Sequence, residues 1–443
     1  MKVDVIVVGA GLGGLACARD LQAGGADVLV VEARGRTGGR VEATTLADGR
    51  VLQLGGEICG TVHLAYRALA AELGLELVPS YTDAPGVDAY DLVDGVVFGD
   101  GWLSDEDRDA LARMEDELLA LARRIDPEAP LDHDDAVALD SMSVGDFARA
   151  HGATAGATRR LELSSTYTAG GTIERLSVLG ELRAIAAGGG HSPRDYSMWE
   201  NLKIDGGSSV LVDVLTAGLG DRIRLSSPVS RIVIGTPCQV VLVSGEILIA
   251  DSVVCAVPVG PLRGIDVAGL SAERLRSLHR QREIPASKAV VALESQVWER
   301  VGCTGQILSE RETGGFWVQD KNTLSSMNGP DLQGLIAAAP PGVETEQLLA
   351  SLRRVVGDFG PATTLWRHWG RDPYTLGYVS HWAPGDLVAV GPLHGTHEPP
   401  FYVAGSDHWA AGYMEGAIAT GRATALHVLG RSGEVELYPA AIQ

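Results

Sequence analysis

The sequence predicts an α/β protein organised around a Rossmann-type nucleotide-binding unit, and three features of its first forty residues predict it. Val3 to Val8 reads VDVIVV, a near-continuous β-branched run suited to a strand buried on both faces. Gly9-Ala10-Gly11-Leu12-Gly13-Gly14 follows at once and opens an apolar helix through Leu15, Ala16 and Leu21. A second apolar strand, Val28 to Val31, ends in Glu32. Glycines thus hold all three positions of a G-x-G-x-x-G turn. Gly9 allows the tight turn, Gly11 lets a pyrophosphate approach the backbone, and Gly14 lets helix and strand pack closely. The helix N-terminus offers unpaired N–H groups and the positive end of its dipole to phosphates. Glu32 falls roughly 20 residues downstream, where a carboxylate accepts ribose hydroxyls. An ordinary glycine-rich turn would leave Glu32 unexplained.

The remaining elements follow in order. Residues 41–78 hold a short β segment and an amphipathic helix around Leu64 to Leu73. Ser104 to Arg124 reads as a charged helix with Ser104 as N-cap and acidic residues in its first turn. Further helices are expected at 143–151, 155–164 and 173–186. Gly206-Gly207-Ser208-Ser209 opens another helix. Strands are expected at Ile223 to Leu225, Ser230 to Ile234, Gln239 to Val243, Ile247 to Ile249, and Ser252 to Val257, the last stopped by Pro258. From Ile284 to about Trp366 the pattern is sheet-like, in SKAVVALE, GFWVQ and GLIAAAP. Phe401 to Asp407 is a strand running into a glycine turn, and Tyr413 to Leu429 is a helix.

Composition narrows the function classes. The 443 residues, 45% of them hydrophobic, suit a globular chain with several cores. No apolar run approaches the ~18–20 residues of a membrane span. No signal peptide is evident either, so a cytoplasmic protein is expected. Cys17, Cys59, Cys238, Cys255 and Cys303 are scattered without C-x-x-C spacing, and the histidines, including His381, lack metal spacing. Neither a metal site nor a disulfide framework is indicated. The net charge of −21 argues against a nucleic-acid partner. It either keeps the protein soluble or enriches cationic molecules near its surface.

Glu32-Ala33-Arg34-Gly35-Arg36-Thr37-Gly38-Gly39-Arg40, with Gly55-Gly56 after it, resembles the second fingerprint of the flavin-dependent monoamine oxidase family. FYVAGSDHWAAGYMEGAIATGRATA resembles that family's closing motif, and the likeness spans nearly the whole chain. Its Gly-Ser-Asp version is similar to bacterial nicotine and 6-hydroxynicotine oxidases. The resemblance implies a GR2-type FAD-binding domain with an inserted α+β substrate-binding domain. The FAD-binding segments would be 1–78, 206–283 and 376–432, the substrate segments 79–205 and 284–375, and 433–443 a tail. The short polar C-terminus has no counterpart of the membrane anchor carried by eukaryotic members.

The resemblance also implies roles. Ala33, Arg34, Gly39, Arg40, Gly55 and Gly56 would close over FAD, and the backbone near Val229 would meet the adenine. Gly405, Ser406, Asp407, Met414 and Ala417 would neighbour the flavin. Trp369 aligns with a family tryptophan near the flavin, although packing explains it equally well. Gly377 stands where several members carry a tethering cysteine, so FAD is expected to be noncovalent. Two facing aromatic rings of the family align with Tyr378 and Tyr413; such a pair orients an amine, with cation–π attraction of roughly 0.5–2 kcal/mol. Lys288 lies in an otherwise apolar strand. It aligns with a lysine that holds a water at the flavin N5, or else snorkels from a strand edge. Glu57 either meets a substrate ammonium or is a solvated loop carboxylate, and His408 and Trp409 are expected at the pocket wall.

The implied activity is FAD-dependent oxidation of an amine C–N bond to an imine, which hydrolyses to an aldehyde or ketone plus ammonia or amine. O2 would reoxidise the flavin and give H2O2. The partner is then a small-molecule amine, with no membrane, and a homodimer is left open. An L-amino-acid oxidase would want an arginine for the substrate carboxylate, and Glu57-Ile58-Cys59 supplies none. A desaturase or dehydrogenase with another electron acceptor would not need the two tyrosines or Lys288.

Overall fold

Lys2–Val8 is the centre of an eight-stranded sheet in the computed structural model, which describes residues 2–169, 172–311, 313–329, 340, 342–434 and 437. It pairs in parallel with Val28–Val31 on one side and Ile247–Cys255 on the other. Its side chains enter two cores. Val5 and Val7 pack with Leu15 and Leu21 of the helix Leu12–Ala23, while Val3, Ile6 and Val8 pack with Ile232, Val240 and Val253. Burial on both faces is why this strand shows no apolar–polar alternation. Phe401–Val403 adds in parallel beside Ile247–Cys255, so the C-terminal end of the chain completes a sheet begun at its N-terminus.

Small residues set the closest approaches. A Cβ on Gly14 would lie 1.9 Å from the Gly9 carbonyl oxygen. A Cβ on Gly421, in the helix Tyr413–Val428, would lie 2.3 Å from the Gly13 oxygen. The two glycine-rich stretches, some four hundred residues apart, therefore press backbone on backbone.

Several elements differ from the sequence reading. Ile247 to Ile249 and Ser252 to Val257 are not two strands but one, Ile247–Cys255. The exposed Asp251 interrupts the apolar run while the backbone continues and changes partners. On one edge it pairs antiparallel with Cys238–Leu242 as far as Ala250 and then parallel with Phe401–Val403 from Val253; on the other edge Lys2–Val8 pairs with it in parallel from Ile249 onward. The stretch from Ile284 to Trp366 holds the expected sheet, with Ser287–Ala292 buried at every position, but also a helix, Val343–Val356. Its Leu348, Leu352, Val355 and Val356 recur at helical spacing and pack on that sheet. Most of GLIAAAP and of the tail lies outside the described residues.

The helices Asp105–Ala122, Val144–Ala150 and Val178–Ala187 share a core through Met114, Leu118, Phe147, Leu179 and Leu182. Ser104 caps the first with a reciprocal Ser104–Asp107 capping box. Trp382, Leu387 and Val390 join this helical core, although the sequence division placed them with the nucleotide segments. A Cβ on Gly180 would sit 2.7 Å from that of Trp382, so a glycine in the facing helix admits the indole. Among the described residues no helix is long and apolar enough to cross a membrane, and all five cysteines are free and buried.

Gly14→Ala should lower thermal stability measurably. Overpacking typically costs about 1–3 kcal/mol, and here the added carbon meets backbone that cannot rotate away. Calorimetry of the variant beside the wild type checks this.

Candidate active site

A cavity of about 430 Å³ lies at the C-terminal ends of the parallel strands, touching Val8 and Gly9, Val31 and Glu32, Ala256 and Val257, and Gly405. Ligands of open α/β sheets sit at this edge. Of the residues singled out in the sequence, Gly9, Gly11, Glu32, Ala33, Arg34, Gly39, Arg40, Gly55, Gly56 and Val229 line it. So do Trp369, Gly405, Ser406, Met414 and Ala417, together with Glu57, Lys288, Tyr378 and Tyr413. Gly14, Asp407, His408 and Trp409 do not; each is buried behind the wall.

The first turn and second strand lock together through Glu32. Its carboxylate accepts the Ala10 N–H at 2.8 Å and the Arg34 N–H at 2.8 Å. The Arg34 guanidinium in turn donates to Asp372 at 2.6 Å and lies 5.3 Å from the Tyr374 ring centre.

Arg40 gathers three distant groups. It donates to the Tyr378 carbonyl at 3.0 Å, the Ser406 hydroxyl at 2.8 Å and the Asp407 carboxylate at 2.9 Å. The other Asp407 oxygen accepts the Val259 N–H at 3.1 Å. Burial raises the Asp407 carboxyl, but the Arg40 guanidinium, His408 and the Val259 N–H together outweigh it and hold the group below the usual carboxylate range. Asp407 thus acts through Arg40 from behind the wall.

Lys288 is 1% exposed. Its ammonium donates to the Gly55 carbonyl at 2.7 Å and pairs with Glu57 at 2.9 Å. Burial lowers its pKa and Glu57 opposes that shift. This strand is fully buried, so the lysine does not snorkel. Glu57 is neither solvated nor free for a substrate ammonium. It also accepts from the Trp317 indole at 2.5 Å and from the Gln319 amide. A buried ammonium needs a counter-ion, and Glu57 supplies it.

Tyr413 opens the helix Tyr413–Val428 with φ +57°, a strained conformation for a bulky residue, directly after Gly412. Its ring packs against His63 and Trp199, with centroids at 4.9 and 5.3 Å. Its hydroxyl donates to Glu200 at 3.3 Å. Tyr378 is held by its backbone, with its N–H donating to Ile284 at 3.0 Å and its carbonyl bound by Arg40. The Tyr378 hydroxyl is buried and has no hydrogen-bond partner among the described residues.

His408 and Trp409 depart from the sequence expectation. His408 faces the interior, where burial and the nearby Arg274 push its pKa down to about 3. Trp409 packs with Val62 and Trp199, over Gly416, whose added Cβ would lie 2.7 Å from the Trp409 Cβ. The turn after Gly405 directs both away from the cavity. Conversely, Glu200, Tyr81, Tyr196, Phe316 and Trp317 line the cavity and went unrecognised in the sequence. Glu200 follows the four-residue helix Tyr196–Trp199, in a stretch with no motif or periodicity to mark it.

The wall fits a flavin dinucleotide. An added Cβ on Gly39 would approach the Gly11 Cα to 3.0 Å, and one on Gly55 would meet the Arg40 oxygen at 2.0 Å. Bare glycine backbone thus lines the cavity between the Glu32 carboxylate and an aromatic pocket. Fold and wall together define a flavin-dependent oxidoreductase. The model of flavin containing amine oxidoreductases matches residues 12–429, and the chain belongs to that family. It is 28% identical to a putrescine oxidase of Kocuria rosea over 96% of this chain and 95% of that one. A solved putrescine oxidase bound to putrescine superposes with a TM-score of 0.87 at 25% identity, covering 97% of this chain and 100% of the other. Cyclohexylamine oxidase from Brevibacterium oxydans superposes at 0.85 and 25%, covering 98% and 100%.

Glu57→Gln should destabilise the fold by about 3–5 kcal/mol, because it strands the Lys288 ammonium. Adding Lys288→Met should recover most of that loss. Denaturant melts of the two single variants and the double variant measure the coupling.

Proposed function

We propose that the protein oxidises a small primary or secondary amine to its imine with noncovalently bound FAD and O2. The observation that carries this reading is the position of Tyr378, Tyr413 and Lys288 on the same wall as the glycine cradle. FAD, when bound, would supply the two-electron acceptor, with O2 as the final oxidant and H2O2 as its product. Gly9, Gly11 and Glu32 would hold the nucleotide half of FAD, Arg40, Gly55, Gly56 and Gly405 its ring end. Tyr378 and Tyr413 orient the amine and exclude water around it. The imine hydrolyses to an aldehyde or ketone. Lys288 holds a water for the oxygen half-reaction.

Two further observations support parts of this reading. An added Cβ at Gly377 would lie 2.6 Å from the Glu283 Cβ and 3.0 Å from the Ile284 oxygen, which disfavours a tethering cysteine there. The arginines on the described wall, Arg34 and Arg40, are paired with Asp372 and Asp407, so neither is free to clamp an amino-acid carboxylate.

The purified protein should be yellow, and acid precipitation should leave FAD in the supernatant. Anaerobic addition of a panel of cyclohexylamine, benzylamine and 1,4-diaminobutane should bleach it, faster than the amino acids with matching side chains. Colourless protein that FAD does not reconstitute overturns the assignment. Faster bleaching by the amino acids overturns the amine reading.

Stopped-flow kinetics separates the two half-reactions. Tyr413→Ala should slow reduction by the amine severalfold, because the ring that orients the amine and excludes water is lost, and leave reoxidation nearly unchanged. Lys288→Met should chiefly slow reoxidation. If Lys288→Met reoxidises normally, the lysine is structural.

A further inference from the structure

We propose that Glu200 takes the proton from the substrate ammonium on entry, so that the cavity holds a neutral amine. The proposal rests on the amine-oxidation reading. Loss of hydride from the α-carbon draws on the nitrogen lone pair, which an ammonium lacks. Alkylamines, like lysine, are protonated up to a pH of ~10. They therefore arrive charged, and a proton must be removed within the protein or in the solvent beforehand.

The cavity wall carries three carboxylates: Glu32, Glu57 and Glu200. Glu32 is bound by two backbone N–H groups in the nucleotide-binding turn. Both oxygens of Glu57 are taken, one by Trp317 and the other by Lys288 and Gln319. Glu200 is different. Among the described residues its oxygens accept only hydroxyls, from Tyr81 at 2.6 Å and Tyr413 at 3.3 Å. A hydroxyl can turn from donor to acceptor, so the same two tyrosines satisfy the carboxylate and the carboxylic acid alike. Through Tyr413 the carboxylate sits at the hydroxyl edge of a ring proposed to hold the amine.

The electrostatic surroundings favour the transfer. The groups facing Glu200 are Tyr81, Tyr196, Tyr378 and Tyr413, with the Glu57–Lys288 pair beyond. His63 packs behind Tyr413 and is kept neutral by burial, its pKa pushed down to about 3. The wall thus holds one ammonium and two carboxylates at this end before substrate enters. Burial raises the Glu200 pKa, against the hydrogen bonds from Tyr81 and Tyr413. Transfer converts R–NH3⁺ and a carboxylate into R–NH2 and a carboxylic acid, with no change of oxidation state. It removes two charges from a site with little water to solvate them.

Glu200→Gln tests this, since glutamine keeps the shape and the acceptor oxygen but cannot take the proton. The probes are the panel amine that bleaches the wild type fastest and the analogue in which every α-hydrogen is replaced by methyl, 1-methylcyclohexylamine for cyclohexylamine and α,α-dimethylbenzylamine for benzylamine. The second-order rate of anaerobic reduction is measured against pH. The wild type should keep its rate well below the pKa of the amine. Glu200→Gln should lose about tenfold for each pH unit below that pKa, because only free base is then productive, and should approach wild type near pH 10. In weak buffer with an indicator dye, binding of the unreactive analogue at pH 7 should release no proton from the wild type and about one per site from the variant. An unchanged profile, a loss of the same factor at every pH, or proton release by the wild type each overturns the proposal. Failure of every amine to bleach the wild type instead overturns the reading beneath it. The visible spectrum of the variant before mixing reports that its cofactor site is intact.

Discussion

The guanidinium of Arg40 holds the site together. It binds the carbonyl of Tyr378, 338 residues away in sequence, and the side chains of Ser406 and Asp407 near the other end of the chain. Asp407 passes the constraint on to Val259, at the turn that follows strand Ile247–Cys255. One rigid planar fork with several donors can do this where a lysine could not. The glycine cradle, the position of Tyr378 and the turn before Tyr413 therefore move as one unit. Charge-assisted hydrogen bonds among buried groups are also the kind that are costly to leave half made.

The cavity separates two uses of buried charge. Lys288 and Glu57 neutralise each other, Trp317 and Gln319 also donate to the carboxylate, and the Gly55 carbonyl takes a second of the three ammonium donors. That pair is closed. Among the described residues Glu200 has no cationic partner in its immediate shell, only tyrosine hydroxyls. A buried carboxylate in that state is poised for a cation or a proton, and the cavity beside it is where a cation would enter. The strained backbone at Tyr413 belongs to the same arrangement, because it brings the ring and hydroxyl out of the helix toward Glu200.

The helical layer is tied to the chain that follows Tyr378. Trp382, Leu387 and Val390 leave the nucleotide-binding region to pack beside Leu179 and Leu182, and the Trp382 indole donates to the Ala410 carbonyl at 3.2 Å. Segments that the family resemblance assigned to different domains are thereby joined beside the aromatic pocket. The burial of Trp409 and His408 follows from this packing, as the chain between Gly405 and Gly412 turns inward to meet it.

Local pattern alone determined the nucleotide-binding half. Strand Lys2–Val8, helix Leu12–Ala23, strand Val28–Val31 and the terminal Glu32 were legible because each depends on residue types at adjacent or fixed short spacings. The motif resemblance placed Lys288, Tyr378 and Tyr413 for the same reason, as each sits within a short recognisable string. Only the tertiary structure decided how those residues are partnered. Whether Glu57 is solvated or a counter-ion depends on Lys288, 231 positions away, and Glu200 enters the cavity through a loop without periodicity. His408 and Trp409 adjoin residues of the wall in sequence yet point away from it, since a turn reverses side-chain direction within a residue or two. Periodicity records which face of an element is buried; it holds no record of which distant group shares the interior, and burial beside that group is what sets charge and chemistry here.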